Sequence, residues 1–205
     1  MSISVDAAIG RPRLFDEEAV LAKLTDLFWR QGYGQTSMTE IVRISGVHKP
    51  SLYRTFGTKE QLFATVLRRY LAERIAMFAA LIEQAGPGVE GVHRFVELFE
   101  VDAISERGRD GCLMVMASNE LRGTLPGYDF SKIYRRQMRE QIRTLIVRAL
   151  PEGEADSAIA QARTDLLTTY LLGLQVIMRS GADPRSTNTS TLCMSPSTRG
   201  KARCA

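Results

Sequence analysis

An all-helical chain is predicted, on three observations. Apolar residues recur at spacings of three and four throughout, no sustained alternation of period two occurs, and no Asn-Gly or Asp-Gly turn is flanked by β-branched runs. The elements follow in order. Asp16, Glu17 and Glu18 place acids in a first turn, after which Ala19, Val20, Leu24, Leu27 and Phe28 trace one face until Gly32 stops the helix. Ser37 with Glu40 is a capping-box pair that opens a short second helix through Ser45, and Gly46 supplies a left-handed turn residue. Lys49 to Phe56 fits two turns of a third helix, with Pro50 tolerated in the first turn, where no intrahelical N–H bond is required.

Gly57 breaks that helix, and Thr58 with Gln61 forms a second capping box before a long fourth helix that reaches about Gln84. Gly86-Pro87-Gly88 ends it. A fifth helix runs from Val89 to about Glu106, and Gly108 and Gly111 bracket a charged loop. A short apolar helix spans Cys112 to Leu121, ending before Gly123, Pro126 and Gly127. Ile133, Tyr134, Met138, Ile142, Leu145 and Ile146 mark a seventh helix ending near Pro151, and the last strong one runs from about Ala155 to Ser180. Beyond Asp183-Pro184 the pattern fails. Residues 185 to 205 are rich in Ser, Thr, Arg and Pro, and their only large apolar residues are Leu192 and Met194, too few to order the segment.

Composition excludes several classes. The 205 residues are 44% hydrophobic and 24% charged, average for a globular chain, and the longest apolar runs are too short to span a bilayer. The start, MSISVDAAIGRPR, lacks the basic and apolar stretches of a secretory signal, so a cytoplasmic location and no membrane partner are expected. Cys112, Cys193 and Cys204 are too few and too far apart for a disulfide or metal framework. The net charge of +4 is carried entirely by Arg185, Arg199, Lys201 and Arg203 in the acid-free tail, so global charge argues for nothing. A local surplus lies between Thr36 and Lys59, where Arg43, Lys49, Arg54 and Lys59 face only Glu40, and a polyanion can dock there.

That same stretch, TSMTEIVRISGVHKPSLYRTF, has helix-turn-helix grammar: a capped short helix, a turn with Gly46 and a second helix of two turns. Ile41, Ile44, Val47, Leu52 and Phe56 can close a small core. Lys49, Ser51, Tyr53 and Arg54 are left to the outside, where Lys and Arg can pair with guanine edges and Ser and Tyr can reach phosphate or sugar oxygens. The plain alternative is a helical hairpin with a solvated basic face.

The first 75 or so residues resemble the N-terminal domain of the TetR family of one-component bacterial transcriptional regulators. The resemblance is carried by Phe28, Gly32 and Tyr33, Thr36-Ser37, Glu40-Ile41, Gly46-Val47, Lys49 to Phe56, Gly57, Lys59-Glu60 and Leu62-Phe63. It implies an N-terminal three-helix DNA-binding domain followed by a larger helical ligand-binding and dimerisation domain. By resemblance the third helix reads bases of double-stranded operator DNA and Lys59 contacts phosphate. The expected DNA-facing set is Thr36, Ser37, His48, Lys49, Pro50, Ser51, Tyr53, Arg54 and Lys59. His48 and Pro50 depart from the small residues common at those places, and His48 reads more readily as an exposed turn residue than as a DNA contact. Arg11 and Arg13 resemble a basic minor-groove arm over residues 1–13. The DNA-binding domain is placed at 14–60, with helix four continuing to about 84, and the regulatory domain at 85–184.

The function expected is that of a regulator, most often a repressor, that binds palindromic operator DNA as a homodimer and is released by a small-molecule effector or by thiol modification. The alternative is a helical enzyme or interaction protein with a non-functional helix-turn-helix. The sequence is poor in enzyme parts: two histidines, His48 and His93, no phosphate loop and no metal-spaced cluster, so neither cofactor nor metal is expected. Phe78, Phe95, Phe99, Met114, Tyr134, Met138, Tyr170 and Met178 can line an apolar effector site or simply form core. Cys112, after Gly111 at a helix start, is a candidate redox sensor or a buried inert thiol. Relatives commonly pair through two final helices and only one is legible, so a weakened dimer is expected, carried by Leu167, Tyr170, Leu171, Leu174 and Met178.

Overall fold

The computed structural model describes residues 15–120 and 129–181. The expected basic arm with Arg11 and Arg13, the stretch holding Gly123, Pro126 and Gly127, and residues 182–205 with Cys193 and Cys204 lie outside the described residues. Among the described residues are eight α-helices and no strand: α1 Glu17–Gln35, α2 Met38–Ser45, α3 Lys49–Phe56, α4 Lys59–Ala85, α5 Gly88–Ile104, α6 Leu113–Glu120, α7 Phe130–Val147 and α8 Ala158–Arg179. They form two compact units that divide between Val66 and Leu67, within α4.

Capping chemistry sets the boundaries. Asp16 accepts from the backbone N–H groups of Glu18 and Ala19 at 3.0 and 3.1 Å, starting α1. Gly32, at φ 83° and ψ 174°, interrupts α1 where the stop was expected, and one further turn carries it to Gln35. At the start of α4 the Thr58–Gln61 box closes reciprocally, Gln61 N–H to the Thr58 hydroxyl at 3.3 Å and Thr58 N–H to the Gln61 side chain at 2.9 Å. Helix α8 starts later than expected, after Ser157, whose hydroxyl accepts from Ala160 N–H at 3.1 Å.

The first unit closes on aromatic packing. Phe28, fully buried, stands 4.6 Å from the ring of Phe63, which lies 5.0 Å from Tyr33, while Leu24, Ile41 and Leu52 complete the core. In the second unit Phe78, Phe95 and Phe99 form a buried trio with centroids 5.5 to 6.3 Å apart. Met138, Ile142 and Leu145 of α7 are buried with Leu167, Leu171 and Leu174 of α8. Gly111 is required where it stands. It has φ 72°, and a Cβ there would lie 2.7 Å from the Gln175 carbonyl oxygen of α8.

Leu167, Leu171, Leu174 and Met178 are not surplus apolar surface on α8, because they are buried within the chain's own core, and Tyr170 is half-buried. The exposed apolar residues of α8 are Ile159, Leu166, Val176 and Ile177. Ile159, Ala162, Leu166, Thr169, Gly173 and Val176 follow one another at alternating steps of three and four, which makes a narrow heptad seam, and none of them is buried. The sequence shows apolar residues on more than one side of α8, and only packing against α7 tells the two sides apart.

Candidate nucleic-acid interface

The interface is built from α2, the turn at Gly46 and α3. Ser37 caps α2, its hydroxyl accepting from Glu40 N–H at 3.1 Å. Gly46 ends α2 in the left-handed conformation at φ 71°, with its N–H on the Val42 carbonyl. The Ser45 hydroxyl accepts from Val47 N–H at 3.2 Å, which holds the tight turn, and Val47 is buried beneath it. Helix α3 then opens on the His48 carbonyl, which accepts from Ser51 and Leu52 N–H groups at 2.9 and 3.1 Å. Leu52 and Phe56, one turn apart, are buried and fix which face of α3 turns inward.

The opposite face is exposed and carries His48, Lys49, Pro50, Tyr53 and Arg54, with Ser51 half-buried at its margin. Tyr53 follows Lys49, and Arg54 follows Pro50, by four residues, so these side chains form two adjacent rows on one face. The Lys49 ammonium stands 5.8 Å from the Tyr53 ring centroid, and Arg54 donates to the Ser51 hydroxyl at 3.4 Å. The acids nearby are engaged within the unit. Gln31 donates to Glu40 at 2.7 Å, and Arg43 lies 3.7 Å from its other oxygen. The Tyr33 hydroxyl donates to Glu60 at 2.7 Å, lowering the Glu60 carboxyl below its ordinary range, with help from backbone and Thr58 hydrogen bonds; burial and Glu60 together push the Tyr33 phenol up.

Two of the sequence-predicted residues are placed differently from the rest. Thr36 is 1% exposed and its hydroxyl donates to the Gly32 carbonyl at 2.6 Å. It closes the end of α1 and leaves the DNA-facing set, because a side chain already bonded and covered has nothing to offer a phosphate. Lys59 is half-buried, its ammonium 2.8 Å from the Tyr33 carbonyl and 4.1 Å from the Tyr33 ring centroid. The remaining residues of the set, Ser37, His48, Lys49, Pro50, Ser51, Tyr53 and Arg54, lie on α2, the turn and α3 as expected from their spacing.

In the second unit the expected effector set is brought inside: Phe78, Phe95, Phe99, Met114, Tyr134, Met138 and Met178 are buried, and Tyr170 donates its hydroxyl to Glu100 of α5. Cys112 stands immediately before α6, its carbonyl accepting the first helical bond from Met116 N–H at 3.1 Å, and its thiol is buried with Sγ 3.6 Å from the Tyr70 hydroxyl. Sequence reasoning missed Arg74. The signal was the row Tyr70, Arg74, Phe78, three residues at steps of four that put a guanidinium in line with an apolar stripe.

Comparison with known proteins follows the same division. Residues 20–66 match the family model described as bacterial regulatory proteins, tetR family. The chain is 36% identical over 109 residues to the HTH-type transcriptional repressor ComR of Escherichia coli (strain K12), a match covering 52% of this chain and only 51% of ComR. It is 28% identical over 173 residues to the HTH-type transcriptional repressor BdcR of the same strain, covering 84% of this chain and 83% of BdcR. Among solved structures it resembles the TetR family transcriptional regulator CifR, a cysteine mutant complexed with 26-base-pair operator DNA, with a TM-score of 0.73 and 26% identity over 88% of this chain and 96% of that one. With the helix-turn-helix unit, the larger helical unit and these likenesses together, the chain resembles the bacterial regulatory proteins of the tetR family, most specifically over residues 20–66.

Proposed function

We propose that the chain is a transcriptional repressor that binds palindromic operator DNA as a homodimer through α3 and is released by a small-molecule effector or by modification of Cys112. The observation that carries the reading is the exposed face of α3: Leu52 and Phe56 anchor the helix from behind, while Lys49, Tyr53 and Arg54 stand exposed on the other side. A helix presented in this way fits the major groove, where Arg and Lys pair with guanine O6 and N7 and a tyrosine hydroxyl reaches phosphate. ComR and BdcR are named repressors, and CifR was solved on operator DNA, which supports the same activity here.

A dimer is needed to read two half-sites about 34–36 Å apart. The seam of Ile159, Ala162, Leu166, Thr169, Gly173 and Val176 supports one: its small residues let two helices approach closely, and its apolar ones lose water when a second copy covers them. Effector binding is assigned to the second unit, where the aromatic and methionine residues converge. The test is fluorescence anisotropy of the full chain on duplexes taken from the promoter beside its gene, at several salt concentrations. Tight binding to one duplex, falling steeply with salt, is expected. Equal affinity for every duplex would overturn the reading.

A further inference from the structure

The second unit contains a buried polar cluster that the DNA-binding reading does not use. Tyr70 and Arg74 of α4, Cys112 at the start of α6 and Tyr134 of α7 come together there, with Asp102 of α5 at the margin. The bonds of Tyr70 are made: its oxygen accepts from Leu113 N–H at 3.3 Å and its hydroxyl donates to Cys112 Sγ at 3.6 Å. Arg74 is nine-tenths buried, and its ion pair runs from Nη1 to Asp102 at 3.3 Å, leaving Nε buried with no acceptor. The Tyr134 hydroxyl, deeper still, completes no hydrogen bond of good geometry, although the Cys112 sulfur and the Arg74 guanidinium stand close enough to act on its phenol.

Burying a donor without a well-placed acceptor is costly, and here two such donors, one of them on the Arg74 guanidinium, stand in one cluster with a sulfur atom. Burial and the neighbouring Cys112 push the phenols of Tyr70 and Tyr134 well above their ordinary range, so both keep their protons and act as donors. Burial works against the charge on Arg74, but a guanidinium stays protonated at neutral pH and the Asp102 carboxylate beside it favours the charge. What the cluster lacks beside Arg74 Nε is a negatively charged acceptor. Its apolar wall is the Phe78 ring, whose centroid lies 5.9 Å from the Arg74 guanidinium carbon, with Phe95 and Phe99 packed on that ring in turn.

We infer that this cluster is the effector site and that its ligand is a small organic carboxylate, whose oxygens accept from Arg74 Nε and the Tyr134 hydroxyl against the Cys112 sulfur. The inference rests on the reading of the second unit as effector-binding and names the ligand's class. A planar carboxylate matches the guanidinium, and an apolar body on the acid has the phenylalanine trio to meet.

The experiment is thermal unfolding of the full chain with acetate or benzoate, against acetamide or benzamide and chloride at matched ionic strength, with operator affinity measured in parallel. At least one carboxylate is expected to raise the midpoint while its amide does not, since a ligand that binds only the folded state stabilises it. Tyr134→Phe, which removes one oxygen, and Arg74→Gln are expected to weaken this binding by about tenfold or more. No shift with either acid, or an equal shift in Tyr134→Phe, overturns the inference. If the carboxylate shift stands while the chain binds no operator, the repressor reading fails and the anion site survives; operator binding without the shift gives the reverse.

Discussion

The Tyr33 hydroxyl donates to the Glu60 carboxylate at 2.7 Å, joining the last turn of α1 to the first turn of α4. The same tyrosine offers its carbonyl and ring to the Lys59 ammonium, so both ends of the helix-turn-helix unit are held at one residue. The positions involved are far apart in sequence, and the recognition helix lies between them.

A pH dependence follows. Glu60 has a folded pKa below its unfolded value near 4.3, chiefly because Tyr33 donates to it. A group lowered by folding contributes stability that is full above the unfolded value and is lost as pH falls through the folded one. Tyr33→Phe is therefore expected to cost about 1 kcal/mol at neutral pH and less below about pH 4. Thermal unfolding of both proteins at pH 7 and at low pH checks this; an equal deficit at both would contradict it.

Phe28→Ala removes a fully buried ring packed on Phe63. A loss of about 3–5 kcal/mol is expected, as for other buried aromatic truncations. Urea unfolding followed by circular dichroism measures it, and a loss below about 1 kcal/mol would mean that the site collapses without a cavity.

On α8 two neighbouring leucines are expected to behave oppositely. Leu166 is 57% exposed on the seam and Leu167 is buried against the core. Leu166→Glu is expected to yield a folded monomer, whereas Leu167→Ala is expected to cost about 2–5 kcal/mol of folding stability. Sedimentation and circular dichroism together separate the two. A Leu166→Glu protein that remains dimeric would remove the seam as the pairing surface.

Most of this was legible in the chain because its signals are local. Ser37, Gly46, Gly57, Thr58 and Gln61 act on backbone groups within a few residues, and each does so where its chemistry predicts. What was not legible depends on packing. Thr36 sits among helix-capping and DNA-facing residues alike, and only the approach of the Gly32 carbonyl turns it inward. The outward face of α8 could not be chosen among several leucines, and Arg74 reads as one more surface base until Tyr134 and Cys112 close over it.

Contacts on α3 are expected to divide by chemistry. Arg54→Ala and Lys49→Ala should each relax preference at particular base pairs, at about 1–3 kcal/mol per good base contact. Tyr53→Ala should weaken binding to all duplexes alike, as loss of a phosphate contact does. Competition binding against single-base operator variants distinguishes the two patterns. A uniform loss in Arg54→Ala would make it a phosphate contact.

The most direct measurement is selection of duplexes bound by the full chain from a random pool, followed by sequencing. Two copies presenting α3 in neighbouring major grooves predict an inverted repeat with half-site centres about 34–36 Å apart, or at a multiple of that spacing, and its enrichment should fall in Arg54→Ala at the base pairs that Arg54 reads. A pool that shows no inverted repeat, or one equally enriched by Arg54→Ala, would contradict the account.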